Sequence, residues 1–348
     1  MTRTPRRLAP YLIATALASA ATAGAGTAGA STAPEPTPPG TETAGSDAVA
    51  GAPTSAEDGA FPVTIPTAFG DVTLDEEPQR VVAVGWSDAE TALALGVQPV
   101  GVSDWLGLGG DGLGPWAADL YEEEPEQLGT MDLNLELLAA LEPDLILDTR
   151  SDGTPERHDA LSEIAPTLSP PADVVAYGTT WQQQLEMVAA ALGRPAYGAE
   201  LAASVDDAFA AAAAEHPEFD GAEAVVGAFS ADGFGIYVTG DARVEFLSQL
   251  GFVQKPGIDE LGTGNFYVPV GDENLELFDA DVTVVFPIFV EASEFTENPV
   301  WQAVPSVADG RAVVIEDLDL LNAFSSGSVP GILYAIDAIT PLLADALA

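Results

Sequence analysis

The 348-residue sequence contains no cysteine, and this absence excludes several kinds of chemistry. Without a thiol the chain forms no disulfide, iron–sulfur cluster or zinc–thiolate site, and it offers neither a cysteine nucleophile nor a cysteine for lipid attachment. Histidine is almost as scarce, because only His158 and His216 are present and neither stands beside a cluster of metal-type ligands. We therefore expect no bare metal-ion site.

Positive charge is also scarce. The chain has 10 lysine and arginine residues against 55 aspartate and glutamate residues, which gives a formal net charge of −45. Proteins that bind nucleic acids rely on clustered lysine and arginine, and anionic membrane surfaces repel an acidic protein. Neither partner is expected here. We interpret most of the acidic residues as a solvated surface.

The motifs of common enzyme classes are missing or incomplete. No G-x-S-x-G nucleophile elbow occurs, so an α/β-hydrolase would lack its nucleophile. Residues 107–112 match the G-x-G-x-x-G dinucleotide fingerprint, but Gly114 and Pro115 follow where a helix should open. This context favours a flexible glycine loop. We expect no catalytic residues and no enzymatic activity.

The N-terminus has the organisation of an export signal. Arg3, Arg6 and Arg7 precede an apolar, alanine-rich stretch over residues 8–23, and residues 28–30 form an A-x-A type cleavage site. The apolar stretch is shorter than the roughly 20 residues that span a bilayer, which disfavours a membrane anchor. The sequence predicts a signal peptide over residues 1–30, recognised by either the general or the twin-arginine export pathway. It also predicts an exported protein without a lipidated cysteine.

The next segment, residues 31–60, is rich in proline, threonine, alanine and glycine and has no apolar periodicity. This composition predicts a disordered linker. Short apolar strands and helices then alternate, with strands near residues 80–84, 99–102 and 145–147 and helices near residues 88–95, 135–141, 156–164 and 181–192. Strands separated by helices pair in parallel, because parallel pairing needs a crossover connection.

Residues 195–215 predict a helix of 21 residues, about 30 Å long at 1.5 Å per residue. Its low aromatic content favours a connector between two lobes. The alternation restarts after it, with strands near residues 224–229, 282–286 and 312–315 and helices near residues 244–250 and 329–347. We predict an α/β fold with two lobes of mostly parallel sheets, residues 61–194 and 218–348, joined by one long connecting helix over residues 195–217.

The two predicted lobes also repeat each other in sequence. An offset of 137 residues pairs Glu136 with Glu273 and Asp144 with Asp281, and it continues from strand to strand without a gap. Each lobe therefore carries a glutamate eight residues before an aspartate that opens a buried strand. Two lobes of related topology that enclose a cleft are typical of a ligand-binding protein.

Three of the segments that carry a family resemblance are LGTMDLNLELLAALEPDLIL at 128–147, YGTTWQQQLEMVAAALG at 177–193 and VGDENLELFDADVTVV at 270–285. Taken in order with their neighbours, they resemble the iron–siderophore substrate-binding proteins of ABC importers, in which one long helix joins two α/β lobes. The resemblance covers residues 61–348. It implies an extracytoplasmic monomer that captures a ferric siderophore and delivers it to an ABC permease, with no cofactor because iron arrives only inside the siderophore complex.

The resemblance gives the paired glutamates a role. One glutamate on each lobe of such proteins docks onto permease arginines, and the matching positions here are Glu136 and Glu273. The alternative is that both are ordinary surface residues near helix N-termini. Two features depart from the family pattern. The acylated cysteine of many relatives is absent, and Thr130 to Asp132 stand where hydroxamate-binding relatives often carry an arginine.

In this architecture the ligand cleft is lined by residues that follow strand ends. Aromatic rings suit the flat apolar faces of a ferric siderophore, and guanidinium groups suit its oxygen-rich centre. Core packing is the alternative role for each aromatic residue, and pairing with a carboxylate is the alternative for each arginine. The candidate ligand-binding residues are Trp86, Trp105, Arg150, Tyr177, Trp181, Phe229, Tyr237, Arg243, Tyr267 and Phe286.

The chemical class of the ligand stays partly open. The acidic composition favours neutral or cationic hydroxamates over strongly anionic catecholates. The same scaffold binding haem or cobalamin is the first alternative, since tyrosine can hold haem iron. A secreted α/β enzyme is a second alternative, which the missing motifs disfavour.

Overall fold

The computed structural model describes residues 51–107, 112–117, 120–130, 132–262 and 266–348. The predicted signal peptide over residues 1–30 and the predicted linker up to residue 50 lie outside the described residues. So does most of the glycine-rich motif at residues 107–112.

The first lobe is built around five parallel strands in the order β5-β4-β3-β6-β7. A separate antiparallel hairpin, β1–β2, precedes this sheet and was not predicted. The elements are β1 (Val63–Thr67), β2 (Gly70–Leu74), β3 (Val81–Ala83), α1 (Asp88–Ala94), β4 (Gly101–Val102), a 3-10 segment (Pro115–Ala117), β5 (Glu126–Gln127), α2 (Leu135–Ala140), β6 (Leu145–Leu147), α3 (Pro155–Ser162), β7 (Thr167–Leu168) and α4 (Trp181–Ala191).

The central strands of this sheet are apolar on both faces because both faces are covered. Val81 and Ala83 of β3 contact one hydrophobic cluster, whereas Val82 faces a second cluster on the other side of the sheet. Continuous short apolar runs are typical of such strands in parallel sheets. The predicted α/β class with parallel strands flanked by helices is confirmed here.

A single helix of 21 residues, α5 (Pro195–Glu215), leads from the first lobe to the second. Pro195 stands in its first turn, where proline loses no hydrogen bond. Its buried face includes Leu201, Val205 and Phe209, and it packs on α4 of the first lobe. The helix matches the predicted connector, while the lobe boundaries that we drew around it stay a prediction.

The end of the predicted linker needs a correction. The Glu57 carboxylate accepts hydrogen bonds from the backbone N–H groups of Ala196 and Tyr197, at 2.9 and 3.0 Å, and so caps the N-terminus of α5. The Glu57 N–H also donates to the Gly193 carbonyl at 2.8 Å. Composition alone suggested disorder up to residue 60, but a helix N-terminus attracts a carboxylate and holds this segment in place.

The second lobe contains a six-stranded mixed sheet in the order β11-β9-β8-β12-β13, with β10 paired to β8. Strands β10, β12 and β13 run parallel to β8, whereas β9 runs antiparallel to both of its neighbours, β8 and β11. The elements are β8 (Glu223–Ser230), β9 (Gly233–Tyr237), α6 (Ala242–Gln249), β10 (Val253–Gln254), β11 (Tyr267–Val270), β12 (Val282–Pro287), α7 (Ser293–Thr296), α8 (Pro299–Gln302), α9 (Pro305–Ala308), β13 (Ala312–Val314), α10 (Leu318–Ser326) and α11 (Val329–Leu347), with 3-10 segments at Pro217–Phe219, Asp259–Leu261 and Asp272–Phe278.

The last helix, α11, connects the lobes a second time. It packs on α5, α10 and β13, and also on α1 and the Pro115–Ala117 segment of the first lobe. Tyr334 of α11 lies against Trp116, with ring centroids 6.0 Å apart. By length and composition α11 could span a membrane, yet much of its surface is buried inside the fold. Its apolar character is therefore explained by a position between the lobes.

The sequence repeat corresponds to a repeated hydrogen-bond pattern. Asp144 accepts from the backbone N–H groups of Gln79 and Arg80, which precede β3, at 2.7 and 2.9 Å. Asp281 accepts from the N–H of Glu223, at the start of β8, at 2.9 Å. In each lobe the aspartate thus links the starts of two neighbouring strands, β6 to β3 in the first lobe and β12 to β8 in the second. The two aspartates of the sequence repeat therefore make the same kind of contact in the two lobes.

Candidate functional site

A cavity opens between the two lobes. The first lobe lines it with residues that follow β3 and β6 and with the segment that opens α4. The second lobe lines it with the start of α6 and the loop before β11. Cavities between domains are preferred places for ligands. The lining residues are Trp86, Arg150, Tyr177, Gly178, Thr179, Thr180, Trp181, Gln182, Gly240, Asp241, Ala242, Arg243, Glu245, Gln249 and Phe266.

Three stacked rings of the first lobe form what we call the aromatic wall, namely Trp105, Trp86 and Tyr177. The centroids of Trp105 and Trp86 are 4.9 Å apart, and those of Trp86 and Tyr177 are 4.2 Å apart, with interplanar angles of 20° and 27°. All three side chains are half-buried, so part of each ring stays accessible. Offset stacking of this kind keeps the rings parallel and presents an extended apolar edge.

The backbone beneath the aromatic wall is tightly organised. Tyr177 has φ of +60°, a left-handed conformation that is strained for a bulky residue, and its N–H donates to the Ser151 carbonyl at 2.7 Å. Gln184 of α4 donates through Nε2 to the Trp86 carbonyl at 2.8 Å and to Asp88 at 2.7 Å. Strain held in place by such contacts is typical of binding sites.

Asp88 is a buried carboxyl group behind this wall. Besides Gln184, it accepts hydrogen bonds from the N–H of Thr149, at 2.9 Å, and from the Thr149 hydroxyl. Burial raises the pKa of Asp88 to about 6, although the hydrogen bonds oppose this shift. Gly85 is needed beside it, because a Cβ at that position would lie 2.2 Å from the Asp88 carboxylate.

Arg150 forms the floor of the cavity on the first-lobe side. It follows β6, is 6% exposed, and donates through Nε to the Tyr177 carbonyl at 3.2 Å. Its Nη1 donates across the lobes to the Ser326 carbonyl at 2.9 Å. Among the described residues no carboxylate lies within salt-bridge distance of it. Burial lowers the pKa of Arg150 to about 10, so the guanidinium remains charged at neutral pH.

Arg243 occupies the second-lobe side of the cavity and is held in a different way. Asp241 accepts from its Nε and Nη2 at 2.9 and 2.7 Å, and the guanidinium carbon lies 3.9 Å from the Tyr237 ring centroid. Burial opposes the charge of Arg243, but the Asp241 carboxylate outweighs burial and raises the pKa of Arg243. The Phe286 ring lies farther below, at 5.6 Å.

The turn between α10 and α11 joins the second lobe to the first through hydrogen bonds. We call residues 326–328 the interlobe turn. The Ser326 carbonyl accepts from the Ser87 hydroxyl as well as from Arg150. The Ser328 hydroxyl donates to the Glu90 carboxylate. Gly327 has φ of +68°, and a Cβ there would lie 2.9 Å from Nη1 of Arg150, so only glycine fits without displacement.

Glu90 is the carboxyl group at the base of this contact. The Trp116 indole donates to it at 3.0 Å, and both partners are buried. Burial raises the pKa of Glu90 to about 7. Hydrogen bonds from neutral donors satisfy the carboxyl group but compensate its charge incompletely.

Most of the predicted ligand residues of the first lobe come together. Trp86, Arg150, Tyr177 and Trp181 line the cavity, and Trp105 joins them through the aromatic wall. Trp181 is mostly buried against the core and contributes only an edge. Which of these residues contacts a ligand stays a prediction.

The predicted second-lobe residues are placed less uniformly. Arg243 lines the cavity, while Tyr237 and Phe286 are buried beneath it and Tyr267 packs edge-on against Tyr237. Phe229 needs a correction, since it packs in the opposite cluster against Phe234 and Phe295 rather than toward the cavity. Successive residues of β8 point to opposite faces of the sheet, and the sequence did not show which face meets the cleft.

Several lining residues were missed from the sequence, and Asp241 is the most informative of them. It is 5% exposed, caps α6 by accepting from the Arg243 N–H at 3.0 Å, and pairs with the Arg243 side chain. The Gly240–Asp241 step before an apolar run is an N-cap signal that could have located it. The others are Gly178, Thr179, Thr180, Gln182, Gly240, Ala242, Glu245, Gln249 and Phe266.

The two repeated glutamates do not line the cavity, and both occupy the same kind of local position. Glu136 is exposed in the first turn of α2, and Glu273 is exposed in the first turn of the Asp272–Phe278 segment. In the described part of the chain, no group of three histidine, aspartate or glutamate side chains is arranged to hold a metal ion.

The start of α4, which carries Trp181 into the cavity, depends on a capping box. Thr180 Oγ1 accepts from the Gln183 N–H at 3.2 Å, and Gln183 Oε1 accepts from the Thr180 N–H at 3.1 Å. We expect Thr180→Ala to lower the free energy of unfolding by about 1 kcal/mol, as measured by urea denaturation. Thr180→Ser keeps the hydroxyl and should behave as wild type. Equal losses in both variants would contradict a capping role.

Comparisons with known proteins agree with this architecture. Residues 81–317 match the family described as periplasmic binding protein. YfiY of Bacillus subtilis, a probable siderophore-binding lipoprotein, is 26% identical over 283 residues, which cover 76% of this chain and 82% of YfiY. PiaA of Streptococcus pneumoniae in complex with ferrichrome has a TM-score of 0.72 and 27% identity, covering 82% of this chain and 98% of PiaA. SirA of Staphylococcus aureus complexed with staphyloferrin B has a TM-score of 0.69 and 25% identity, covering 81% of this chain and 98% of SirA.

Proposed function

The chain belongs to the periplasmic binding protein family, and on this premise we propose that it captures a ferric siderophore outside the cytoplasm and delivers it to an ABC importer. A hydroxamate-type chelate is favoured. The observation that carries the proposal is the cavity between the lobes, where the aromatic wall stands beside two guanidinium groups. The family and the fold are those of binding proteins, and our proposal includes no catalysed reaction.

The chemistry of the cavity suits such a chelate. A ferric siderophore presents apolar outer faces, and the edges of Trp86, Trp105 and Tyr177 offer area for van der Waals contact with them. Its oxygen atoms around the metal carry partial negative charge, which the Arg150 guanidinium can meet at the cavity floor. The iron is cargo within the chelate, so the protein needs no metal ligands of its own.

The similar proteins support this class of ligand. PiaA was solved with ferrichrome and SirA with staphyloferrin B, and the chain covers nearly the whole length of both. Ferrichrome is a hydroxamate chelate, which agrees with the preference that the acidic composition suggested.

We propose that Glu136 and Glu273 are the contacts to the permease. Each is exposed at the start of a helical segment, at the same place in the two sequence repeats. A carboxylate and a guanidinium pair with specific geometry, so two such glutamates can set the orientation of a bilobed protein on a two-fold partner. The protein would act as a monomer on that partner.

Export fits the family, whose members work outside the cytoplasm. YfiY is named a lipoprotein, whereas these 348 residues contain no cysteine to carry a lipid. We propose that this protein works without a thioether-linked lipid, either free in an exported space or held by another component of the cell envelope.

Tryptophan fluorescence tests the proposed function directly. The protein lacking residues 1–30 is titrated with ferrioxamine B, ferrichrome, ferric citrate, a ferric catecholate, haem and cobalamin. We expect saturable quenching by a ferric hydroxamate below micromolar concentration. Trp86→Ala should weaken binding by about 10- to 100-fold, because it removes the middle ring of the aromatic wall.

The control variant is Trp301→Phe, since Trp301 is buried in the second-lobe cluster against Phe234, with ring centroids 5.0 Å apart. It should change the baseline fluorescence and leave the affinity unchanged. Binding of haem or cobalamin alone would overturn the siderophore assignment. A folded protein that binds none of these compounds would overturn the proposed function as a whole.

A further inference from the structure

The lining of the cavity is balanced in charge. Arg150 and Arg243 are its two cations, and Asp241 and Glu245 are its two carboxylates. Glu245 is half-buried and its carboxylate accepts from the Gly240 N–H at 3.0 Å. A cavity with equal numbers of cations and anions is unusual for a receptor of polyanionic ligands, because such ligands need excess positive charge to replace their hydration.

The two arginines differ in how their charges are compensated. Arg243 uses Nε and Nη2 on Asp241 and Nη1 on the Ser325 hydroxyl, at 3.3 Å. Arg150 donates instead to the carbonyl groups of Ser326 and Tyr177, which carry no net charge. A ligand therefore meets Arg243 as a neutral ion pair, whereas Arg150 has no carboxylate in contact and is affected by the Asp241 charge only at a distance.

The Asp241–Arg243 pair is also fixed in place. The Arg243 guanidinium lies over the Tyr237 ring, and Asp241 is held in place as the N-cap of α6. Neither group can turn away without losing stacking or the helix cap. The neutralisation of the Arg243 charge by Asp241 is thus a fixed feature of the cavity.

We propose that Asp241 determines the charge selectivity of the cavity, so that it accepts cationic or neutral ferric chelates and rejects polyanionic ones. This inference rests on the proposed function, but it concerns the ratio of affinities rather than binding itself. A purely structural role for Asp241, as helix cap and partner of Arg243, would change the affinities for all chelates by the same factor.

Asp241→Asn separates these two roles. Asparagine has the same shape and caps helices as well as aspartate, so the start of α6 is retained while one negative charge is removed. Removing it exposes the charge of Arg243 to the cavity. We expect the affinity for ferric citrate, relative to neutral ferrichrome, to rise at least about tenfold over the wild-type ratio.

The matched control is Asp317→Asn. Asp317 is also an N-cap, accepting from the Leu320 N–H at 3.0 Å at the start of α10, but it is exposed and does not line the cavity. This variant makes the same change in net charge and should leave the affinity ratio unchanged. An equal shift in both variants would mean that overall charge, not Asp241, determines selectivity.

A second variant shows whether the lost charge, rather than a local folding defect, changes the affinity ratio. Asp241→Asn combined with Arg243→Gln removes both charges of the pair and restores the balance of the cavity. Its affinity ratio should return toward the wild-type value, although its absolute affinities are lower. Circular dichroism before each titration confirms that each variant is folded.

Three further results would overturn the proposal. One is a wild-type protein that prefers ferric citrate to ferrichrome, which would leave the proposed function intact. Another is an Asp241→Asn variant whose affinities for ferrioxamine B, ferrichrome and ferric citrate all change by one factor. The third is a wild-type protein that binds no ferric chelate, which would remove the proposed function together with this inference.

Discussion

Arg150→Met is expected to weaken binding of a ferric hydroxamate by at least about 100-fold and to lower the free energy of unfolding by about 2–4 kcal/mol. Both effects have the same origin. The variant removes the cavity cation that has no carboxylate within salt-bridge distance, and it also removes the donor that joins the Tyr177 carbonyl of one lobe to the Ser326 carbonyl of the other. Methionine keeps the apolar stem, so the loss comes from the guanidinium.

Two measurements separate the effects. Fluorescence titration gives the affinity for ferrichrome, and urea unfolding without ligand gives the stability. The Ser326 carbonyl keeps its hydrogen bond from Ser87, so we expect the variant to fold and the two quantities to be measurable. Tyr177 is expected to lose order, because its left-handed backbone then loses the donor to its carbonyl.

Arg150→Lys is the informative control. The ammonium retains the positive charge, but one nitrogen cannot replace the two separate donors that reach the two carbonyl groups. It should recover part of the affinity and little of the stability. If Arg150→Met bound ferrichrome as tightly as wild type, Arg150 would belong to the interlobe contact alone.

The protein is expected to lose stability as the pH rises from 5 to 8, and Glu90 alone should account for about 3 kcal/mol of the loss. Burial raises the pKa of Glu90 to about 7, above its ordinary value of 4.5. Between these values the folded protein binds more protons than the unfolded chain, so the free energy of unfolding falls with increasing pH. Above pH 7 the buried carboxylate is charged and the loss is complete.

Asp88 acts in the same direction over a lower range. Its pKa is raised to about 6 from an ordinary value of 3.8, again because it is buried, so its contribution falls between about pH 4 and 6. General repulsion among the many acidic groups also increases with pH. The contribution of Glu90 must therefore be measured as a difference between variants.

Glu90→Gln isolates that contribution. Its side-chain oxygen can still accept from the Trp116 indole, and its amide can donate to the Ser328 hydroxyl, so only the ionisation is lost. Urea unfolding across the pH range should show the wild type losing about 3 kcal/mol relative to this variant between pH 5 and 8. Glu186→Gln, at an exposed position on α4, is the control and should follow the wild type. Parallel curves for Glu90→Gln and wild type would refute the prediction.

Most elements of the first lobe could be predicted because its strands and helices leave clear local patterns in the sequence. Short runs such as Leu145–Leu147 are apolar throughout, and the helices between them are bounded by Pro143, Gly96 and similar residues. Trp86, Trp105 and Arg150 could be selected for the site because each follows a strand at the same edge of one parallel sheet.

The second-lobe face of the cavity was harder to predict, since its sheet is mixed. The antiparallel pair β9–β11 was not recognised in the sequence, so the loops that bring Asp241 and Phe266 to the cavity had no predicted position. Phe229 and Phe286 both end apolar strands, but they point to opposite faces of the same sheet. Which face meets the other lobe depends on long-range packing that the local pattern does not encode.

The interlobe turn could not be predicted for a related reason. Ser326, Gly327 and Ser328 form an ordinary helix-to-helix connection in sequence, with Gly327 and Ser328 as expected C-cap and N-cap signals. Their partners Ser87, Glu90 and Arg150 are more than 170 residues away. Only the packing of α11 across both lobes brings these groups together.

That second crossing by α11 has a consequence for transport. Two helices, α5 and α11, contact both lobes, and Arg150 and Glu90 form hydrogen bonds with the interlobe turn. Such a frame resists wide opening, so the empty and the loaded protein should have nearly the same outline. If the protein serves a permease as we propose, empty copies would then compete with loaded ones for the same docking surface. The rate of iron uptake would follow the fraction of copies that are loaded, and producing more of the protein without more siderophore would slow import.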